Sequence, residues 1–419
     1  MTVACPTLNE TTPARSSPAH DVIDALSAAG RSVAVLAVHH VRAEGQVLTG
    51  GAEKYVCMVA SLLLRRGARV HVGYSGDDIY QDLAAHEDRR RLTVERLDWI
   101  DPDLRGDRRI GPLTLALRMR WLRETGADTL FVVQQGSGTT YRASLLAARL
   151  LGLRTVSSIR QPAAPLEESA TRRLFGVIPR PGLWRRRQIR RARFPADCCD
   201  AVIFNSRRVA DEYAAQYGFD AARSRVIYNG EVVGAASAGV RGFGRRIGTA
   251  GRVTSAKGGD ILLDAFSKIA ADHPDASLHY FGDGPLVGEL RSRADARGLG
   301  GRVVFHGYQR DREAVYRDID FYVQPSLRES MANTVIEAQV RGLPCVVTDV
   351  GGMAECVADG QTGWLIPPGD AGGLADALRR AFDACDSYGA MSAAAGQRAR
   401  GLFEMGRFER ETLGAILGE

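Results

Sequence analysis

Two glutamates in the C-terminal part of the sequence, Glu329 and Glu337, stand eight residues apart where a predicted loop leads into a predicted helix. Either Ser330 or Asn333 is expected to cap that helix. The free backbone amides of its first turn would attract an anion such as phosphate. These amides belong to Met331, Ala332, Asn333 and Thr334.

Carboxylates beside a phosphate would repel it unless they bind hydroxyl groups instead. The spacing of Glu329 and Glu337 therefore predicts a ligand that carries a diphosphate, a ribose and a second sugar. The competing interpretation is structural, with one glutamate favouring the helix dipole and the other lying on the surface.

A glycine-rich segment, GRVTSAKGG, follows another predicted strand and contains Arg252 and Lys257. Its glycines would let the backbone approach a diphosphate closely, and its two cations would neutralise charge that builds on a leaving group. The chain has three lysines among its many arginines, so a lysine in this turn favours a functional role. An ordinary turn between a strand and a helix, with solvated charges, is the alternative.

A third segment, YFGDGPL, includes Gly282 and matches half of a dinucleotide-binding fingerprint. The full pattern is not met because Gly288 comes one residue late. The sequence also lacks the phosphate-binding loop pattern GxxxxGK[ST], which argues against an ATPase of that class.

The elements that must position these residues are strands and helices in alternation. Residues 31–41, RSVAVLAVHHV, form a continuous apolar run typical of a parallel strand covered on both faces. A second alternating series begins at residue 246. The predicted fold class is therefore α/β, with two Rossmann-like domains facing each other across a cleft. Ligands in such folds bind beyond the carboxyl ends of the strands, where the candidate segments fall.

The predicted domain organisation has five parts. It comprises a disordered extension over residues 1–30, a Rossmann-like domain over 31–228, a linker over 229–245, a second Rossmann-like domain over 246–400, and a C-terminal helix over 401–419 that packs back on the first domain.

The charge of the chain, +6 with a pI near 9.0, suggests an anionic partner without identifying it. The arginine run WRRRQIRRARF, residues 184–194, is most simply a solvated surface helix. The alternative is peripheral docking to anionic lipid headgroups at the inner membrane face. A cytoplasmic protein is expected, because the seven cysteines form no CxxC pair and the N-terminal segment lacks the apolar core of a signal peptide.

Metal and nucleophile signatures are weak. The segments DPD (101–103) and DID (318–320) superficially match a cation-binding DxD pattern. We interpret both matches as coincidence. No metal or other cofactor is therefore expected. His39 ends the first strand and is a candidate for contact with an acceptor, although a strand-end histidine is more often a polar cap. No local signature of a Ser, His, Asp or Cys, His arrangement is present.

Several of these segments together resemble the retaining nucleotide-sugar glycosyltransferases of the GT-B fold, of the group 1 or family 4 type. The segments are TGGAEKYV, GRVTSAKGG, YFGDGPL and RESMANTVIEAQVRGLPCVVTDVGGMAECVADGQTGWLIPPGD. The resemblance is strong over residues 246–400 and looser before them. It implies an enzyme that moves a sugar from a nucleoside-diphosphate sugar to an acceptor hydroxyl, without a metal and without nucleic acid as a partner.

The resemblance also implies roles for individual residues of the second half. Glu329 would hold hydroxyls of the transferred sugar, and Glu337 would hold the ribose. Arg252 and Lys257 would grip the diphosphate and stabilise its departure. Backbone contacts to the base would come near Gly307 and Tyr308.

In the first half, Gly50 and Gly51 would lie close to the phosphates and shape the acceptor entrance. Members of the family usually carry a histidine near the end of a first-domain strand, where this chain has Arg160 in SSIRQP. Gln134 and Gln135 stand where another histidine is often found. These departures concern the sugar or the acceptor, which the resemblance does not identify. A glycan, a lipid-linked acceptor and a natural product all fit.

Two other classes of function compete with transfer. A GT-B-fold epimerase or phosphorylase would reuse the same site, the first turning over donor without an acceptor and the second needing phosphate and a glycan. A basic, non-enzymatic nucleic-acid-binding protein would explain the arginines and would lose its binding at high salt.

Overall fold

A computed structural model describes twelve stretches of the chain. They are residues 28, 30–38, 42–43, 46–47, 51–75, 83, 90–97, 110–134, 141–164, 166, 181–232 and 243–419. The chain forms two compact units. Unit 1 is drawn from Met1–Asn205, Val209–Ile227 and Gly406–Glu419, and unit 2 from Ser206–Arg208 and Tyr228–Met405.

The strands are short and mostly buried, as expected of sheets covered on both faces. In chain order they are β1 (Ser32–Val38), β2 (Arg42–Ala43), β3 (Gln46–Val47), β4 (Arg69–Ser75), β5 (Leu92–Arg96), β6 (Thr129–Gln134), β7 (Arg154–Ile159), β8 (Ala201–Phe204), β9 (Ser224–Val226), β10 (Arg246–Ala250), β11 (Ser277–Phe281), β12 (Val303–Gly307), β13 (Phe321–Gln324), β14 (Cys345–Thr348) and β15 (Gly363–Ile366).

Helices follow most of the strands. They are α1 (Gly51–Arg65), α2 (Pro112–Thr125), α3 (Arg142–Leu150), α4 (Pro181–Cys198), α5 (Arg207–Tyr217), α6 (Gly259–Ile269), α7 (Val287–Ala296), α8 (Arg312–Arg317), α9 (Asn333–Val340), α10 (Met353–Cys356), α11 (Ala371–Asp383), α12 (Tyr388–Leu402) and α13 (Met405–Leu417). Single 3₁₀ turns cover Ser255–Lys257 and Cys385–Ser387.

Unit 1 is built on a parallel sheet with the strand order β5-β4-β1-β6-β7-β8-β9. The central strand β1 pairs with β4 on one side and β6 on the other, so that Val33 lies beside both Val70 and Thr129. Residues Val33 to Leu36 are fully buried, because neighbouring strands and helices cover both faces of β1. The apolar run seen in the sequence is therefore a central strand of a parallel sheet.

The C-terminal helix α13 belongs to the core of unit 1 rather than to the preceding unit 2. Phe408 makes an edge-to-face contact with Tyr55 at 6.0 Å between ring centroids. Glu409 forms an ion pair with Arg65 at 3.0 Å, and Arg154 Nε donates to the carbonyl oxygen of Ile416 at 3.0 Å. These contacts tie the end of the chain to α1 and β7.

Unit 2 is built on a parallel sheet with the order β12-β11-β10-β13-β14-β15. One face is covered by α6, α7 and α11, which contribute Phe266, Leu290 and Leu378 to one core cluster. The other face is covered by α8 and α9, which contribute Tyr316 and Ile336 to another. Two units with parallel sheets and interleaved helices confirm the predicted α/β class.

The order of strands in unit 2 reverses at β10. The chain leaves β10 toward β11 and β12 on one side, and it returns to the other side of β10 with β13. Helices that follow such neighbouring strands diverge, and the space between them at the carboxyl edge is where ligands bind in open α/β sheets. The loops after β10 and β13 carry Arg252, Lys257 and Glu329.

Gly282, just after β11, holds the neighbouring turn in place. Its φ of 138° lies in a region that side chains avoid, and a Cβ there would come 2.0 Å from the carbonyl oxygen of Gly251. Its amide donates to the carbonyl oxygen of Gly307 at 2.8 Å. The backbones after β10, β11 and β12 are thus brought together by a residue without a side chain.

We expect Gly282→Ala to lower the free energy of unfolding by about 2–3 kcal/mol, because both backbone strain and a backbone clash oppose the added methyl group. Urea unfolding followed by circular dichroism measures the change. The matched control is Gly301→Ala, since Gly301 is exposed and nothing lies within 4 Å of an added Cβ. Equal stability of the two variants would contradict this account of Gly282.

Candidate active site

The turn after β10 presents two cations at the carboxyl edge of the unit 2 sheet. The buried Val253 anchors the turn, since its amide donates to the carbonyl oxygen of Asp283 at 2.9 Å. Arg252 is exposed and forms no ion pair with another described residue. Lys257 ends the 3₁₀ turn, and its side chain is 31% exposed. The turn therefore leaves the Arg252 guanidinium open to a ligand.

Lys257 and Glu329 form an ion pair in which Nζ donates to Oε2. The loop after β13 is held against the turn that carries Lys257, because the amide of Leu327 donates to the carbonyl oxygen of Ala256 at 3.0 Å. Gly258 permits this approach, since a Cβ there would lie 2.1 Å from the carbonyl oxygen of Pro325. A predicted cation and a predicted carboxylate are thus brought into direct contact.

The N-terminus of α9 lies next to Glu329 in the chain. The helix begins at Asn333, and its N-cap is Ala332, which provides no side-chain cap. The expected cap by Ser330 or Asn333 is therefore wrong. The carbonyl oxygen of Ser330 instead accepts from the amide of Gly352 at 2.5 Å, and the side-chain amide of Asn229 donates to Asn333 Oδ1.

The absence of a side-chain cap leaves backbone donors available. The amides of Asn333 and Thr334 make no hydrogen bond with another described residue, and both residues are half-buried. Met331 and Ala332 are buried beside them. Uncapped amides at a helix N-terminus favour an anion, so this end of α9 fits the predicted phosphate site.

Glu337 lies inside α9 and is buried, and each of its two carboxylate oxygens contacts another side chain. Tyr316 Oη donates to Oε2 at 2.8 Å, and Arg312 Nη1 lies 3.2 Å from Oε1. Burial and the neighbouring carboxylate raise the pKa of Tyr316 well above its usual value, so the phenol remains a donor. Glu337 is therefore held in a defined orientation at the base of the predicted nucleotide site.

Two further charged residues complete the surroundings of Glu337. Arg341 Nη1 donates to the carbonyl oxygen of Glu337 at 2.9 Å and lies 3.5 Å from Glu231 Oε1. Burial, followed by the charge of Glu337, raises the pKa of Glu231 to about 7. Sequence reasoning missed Glu231, Arg312 and Arg341, because they come from separate segments with no common spacing.

The predicted base-contact segment lies at the ends of β11 and β12. Gly307 has a φ of 66°, and the amide of Tyr308 donates to Asp283 Oδ2 at 3.1 Å. Tyr308 is 50% exposed. Gly282, paired with Gly307, completes this stretch of close backbone contacts.

Unit 1 contains the remaining predicted site residues. Gly51 begins α1 and is exposed. The Arg160 guanidinium, which follows β7, lies 3.8 Å from the centroid of the Tyr55 ring, and burial lowers its pKa. His39, Gly50 and Gln135 lie outside the described residues.

Helix α4 carries most of the arginine run. The described arginines are exposed, whereas Ala192 and Ala196 of the same helix are buried. These arginines are Arg185, Arg186, Arg187, Arg190, Arg191 and Arg193. Arg193 is neutralised by Asp197 at 2.9 Å. In the part of the chain that the structure describes, no helix is long and apolar enough to cross a membrane.

The DID segment has a structural partner. Asp320 is buried and accepts from Nε and Nη2 of Arg246, each at 2.9 Å. Within the described ranges, no group of three or more His, Cys, Asp or Glu side chains is arranged to hold a metal ion. The DPD segment lies outside those ranges.

Comparison with known families assigns both halves of the chain. Residues 49–230 match the family described as Glycosyltransferase Family 4, and residues 244–384 match the family described as Glycosyl transferases group 1. Together these matches include α1 of unit 1 and every predicted site residue of unit 2.

Individual relatives are similar over parts of their length. Mannosylfructose-phosphate synthase of Agrobacterium fabrum is 31% identical over 178 residues, which are 40% of this chain and 39% of that protein. D-inositol 3-phosphate glycosyltransferase of Rhodococcus opacus is 28% identical over 361 residues, covering 80% of this chain and 79% of that protein. The chain spans about two fifths of the length of several curated relatives that it matches.

Solved structures share the fold. The crystal structure of Anabaena HepE in complex with UDP covers 93% of this chain and 100% of its own, with a TM-score of 0.70 and 20% identity. Sucrose-phosphate synthase from Thermosynechococcus elongatus covers 91% of this chain and 97% of its own, with a TM-score of 0.65 and 20% identity.

Proposed function

Because the chain belongs to the group 1, family 4 glycosyltransferases, we propose that it transfers a sugar from a nucleoside-diphosphate sugar to an acceptor hydroxyl with retention of configuration. The observation that carries this proposal is the ion pair of Lys257 with Glu329 beside the uncapped N-terminus of α9. One place thus holds a cation for a diphosphate, a carboxylate for sugar hydroxyls and free amides for an anion.

The diphosphate of the donor would replace Glu329 as the partner of Lys257. Arg252, which is exposed, would add a second positive charge, and the amides of Asn333 and Thr334 would donate hydrogen bonds to the remaining phosphate oxygens. These groups stabilise negative charge as it grows on the leaving diphosphate, so they lower the barrier to cleavage of the bond to the sugar. The cations supplied by the chain account for the proposed independence from metal ions.

Glu329, released from Lys257, would accept hydrogen bonds from the hydroxyls of the sugar. Its side chain is 15% exposed, so water competes little for its oxygens. In the front-face displacement usual for this family, the bond from the anomeric carbon to the phosphate oxygen breaks as the acceptor oxygen bonds to the same face. The acceptor proton passes to the departing phosphate oxygen. Glu329 would position the sugar and would not attack it.

The acceptor that we propose is a hydroxyl of a glycan or a lipid-linked saccharide. Two relatives from Rhizobium meliloti, 33% and 32% identical over their aligned parts, are named as lipopolysaccharide core biosynthesis enzymes. In this chain Arg160, at the end of β7, is a cationic candidate for contact with a polar or anionic acceptor.

The arginine helix α4 gives a reason to propose peripheral contact with an anionic membrane. Arg185, Arg186 and Arg187 are exposed in its first turns, where they could meet lipid headgroups without unfolding the buried face of the helix. A lipid-linked acceptor would then be concentrated at the surface to which the enzyme binds.

The nucleotide site is tested by calorimetry with UDP, GDP, dTDP and ADP, each without metal. We expect one diphosphate to bind, and Arg252→Ala to weaken that binding by about tenfold or more through loss of a charge-assisted contact. Arg380→Ala, which removes an exposed arginine from α11, is the matched control and should bind like the wild type. Equal affinity of all three proteins would contradict the proposed diphosphate site.

Retention is tested by proton NMR of the product formed from an α-linked nucleotide sugar, recorded early in the reaction. The expected product has the α configuration, because bond breaking and bond formation share one face of the sugar. A β product would overturn the proposed mechanism. Consumption of donor without acceptor would indicate an epimerase, and a strict need for inorganic phosphate would indicate a phosphorylase.

Membrane contact is tested by sedimentation with vesicles that contain anionic phosphatidylglycerol. Replacement of Arg185, Arg186 and Arg187 by serine should lower partitioning by roughly 100-fold, since each basic residue near such a surface contributes about 1 kcal/mol. Serine at the exposed Arg291, Arg297 and Arg317 of unit 2 is the control for net charge. Equal partitioning of both triple variants would rule out α4 as the contact.

A further inference from the structure

One guanidinium nitrogen in unit 2 is shared between two carboxylates. Arg312 Nη1 lies 3.2 Å from Glu337 Oε1 and 3.5 Å from Glu231 Oε2. The side chains of Glu337 and Glu231 are 8% and 12% exposed, whereas that of Arg312 is 34% exposed. Arg312 is therefore the member of this trio that a ligand approaching from solvent meets most readily.

The second cation of the cluster is fixed by other contacts. Arg341 donates through Nε and Nη2 to Glu313 Oε1, at 3.0 and 2.6 Å, and through Nη1 to the carbonyl oxygen of Glu337 at 2.9 Å. Its side chain is 4% exposed and lies over the Tyr316 ring. Arg312 makes looser contacts, so it is the cation that can redistribute between Glu231 and Glu337.

Glu231 itself is held by its backbone. Its amide donates to the carbonyl oxygen of Phe403 at 2.9 Å, and it forms a backbone bridge with Glu404. The charged groups that act on its carboxyl are Glu337 from α9, Arg312 from α8 and Arg341 from the end of α9. Because burial and Glu337 raise its pKa to about 7, Glu231 changes charge near neutral pH.

We propose that Glu231 is a positioning residue for the nucleotide site, which acts through Arg312 to set how freely Glu337 accepts hydrogen bonds from the ribose of the donor. The inference rests on the proposed function. When Glu231 is neutral, Arg312 has Glu337 as its nearest anion and competes with the ribose hydroxyls. When Glu231 is ionised, Arg312 is drawn toward it, and Glu337 Oε1 is available to the ribose.

The test is the affinity for a nucleotide sugar, measured by calorimetry without acceptor at about pH 6 and about pH 8.5, on either side of the Glu231 titration. The probe is UDP-glucose, or the sugar conjugate of whichever diphosphate the wild type binds. Its diphosphate is substituted at both ends and does not titrate in this range, unlike a terminal phosphate with a pKa near 6. We expect the wild type to bind about fivefold more tightly at the higher pH, the size of a modest coupling between two sites.

Glu231→Gln keeps the shape of the side chain but cannot become an anion. We expect it to bind as weakly as the wild type at low pH, with no improvement at high pH. His279 and His306 of the same unit also titrate, with pKa values lowered by burial, and any effect of theirs persists in Glu231→Gln. The difference between the two proteins therefore isolates Glu231.

Unfolding measurements check the titration without a ligand. The native state holds the Glu231 proton more tightly than the unfolded chain, whose glutamate pKa is about 4.5. The stability that Glu231 contributes relative to Glu231→Gln should thus be fully present below pH 4.5 and be lost as the pH rises through about 7.

The outcomes separate the two proposals. Binding that is sensitive to Arg252→Ala, but equal in the wild type and Glu231→Gln at both pH values, would overturn the positioning role and leave the proposed function standing. A wild-type affinity for the nucleotide sugar that falls or stays constant as the pH rises would also overturn the positioning role and leave the proposed function standing. Failure of the wild type to bind any nucleotide sugar would overturn both.

Discussion

The parallel pairing of β10 with β13 is the constraint on which the candidate site depends. Ile247 lies beside Phe321 in the sheet, so the turn after β10 and the loop after β13 leave the same edge. Gly258 then lets the turn approach the carbonyl of Pro325. As a result Lys257 meets Glu329 although 72 residues separate them in the chain. Without this pairing, neither charge would have its partner.

A carboxylate paired with a neighbouring cation occurs twice in the candidate site of unit 2. Each carboxylate that is proposed to bind sugar hydroxyls has a cation beside it, with Lys257 at Glu329 and Arg312 at Glu337. A partly buried carboxylate without a partner would be costly, so each of the two is paired with a cation. In the proposed function, donor binding would then be an exchange of partners, in which phosphate and hydroxyl groups replace contacts within the protein. An exchange of this kind would make the affinity for the donor sensitive to every group that competes for the cation.

Much of the site could be predicted from local patterns, and the errors have physical causes. The glycine turn, the helix start and the two glutamates are local signals, and the structure places them at one edge of one sheet. The cap of α9 was predicted wrongly because the helix begins at Asn333, which makes Ala332 the N-cap, and because Asn333 Oδ1 accepts from the distant Asn229. No local sequence pattern indicated Glu231 or Arg312, since their proposed roles arise from their position beside the buried Glu337.

The sequence by itself determined the α/β class, the membership of a glycosyltransferase family, and the residue types that are proposed to bind a diphosphate and a sugar. These depend on short-range periodicity and on motifs contained within single turns or helix starts. The tertiary structure alone decided which charges neutralise each other and which carboxyl is buried deeply enough to change its pKa. Such properties depend on distance and dielectric environment, which are set by elements far apart in the chain.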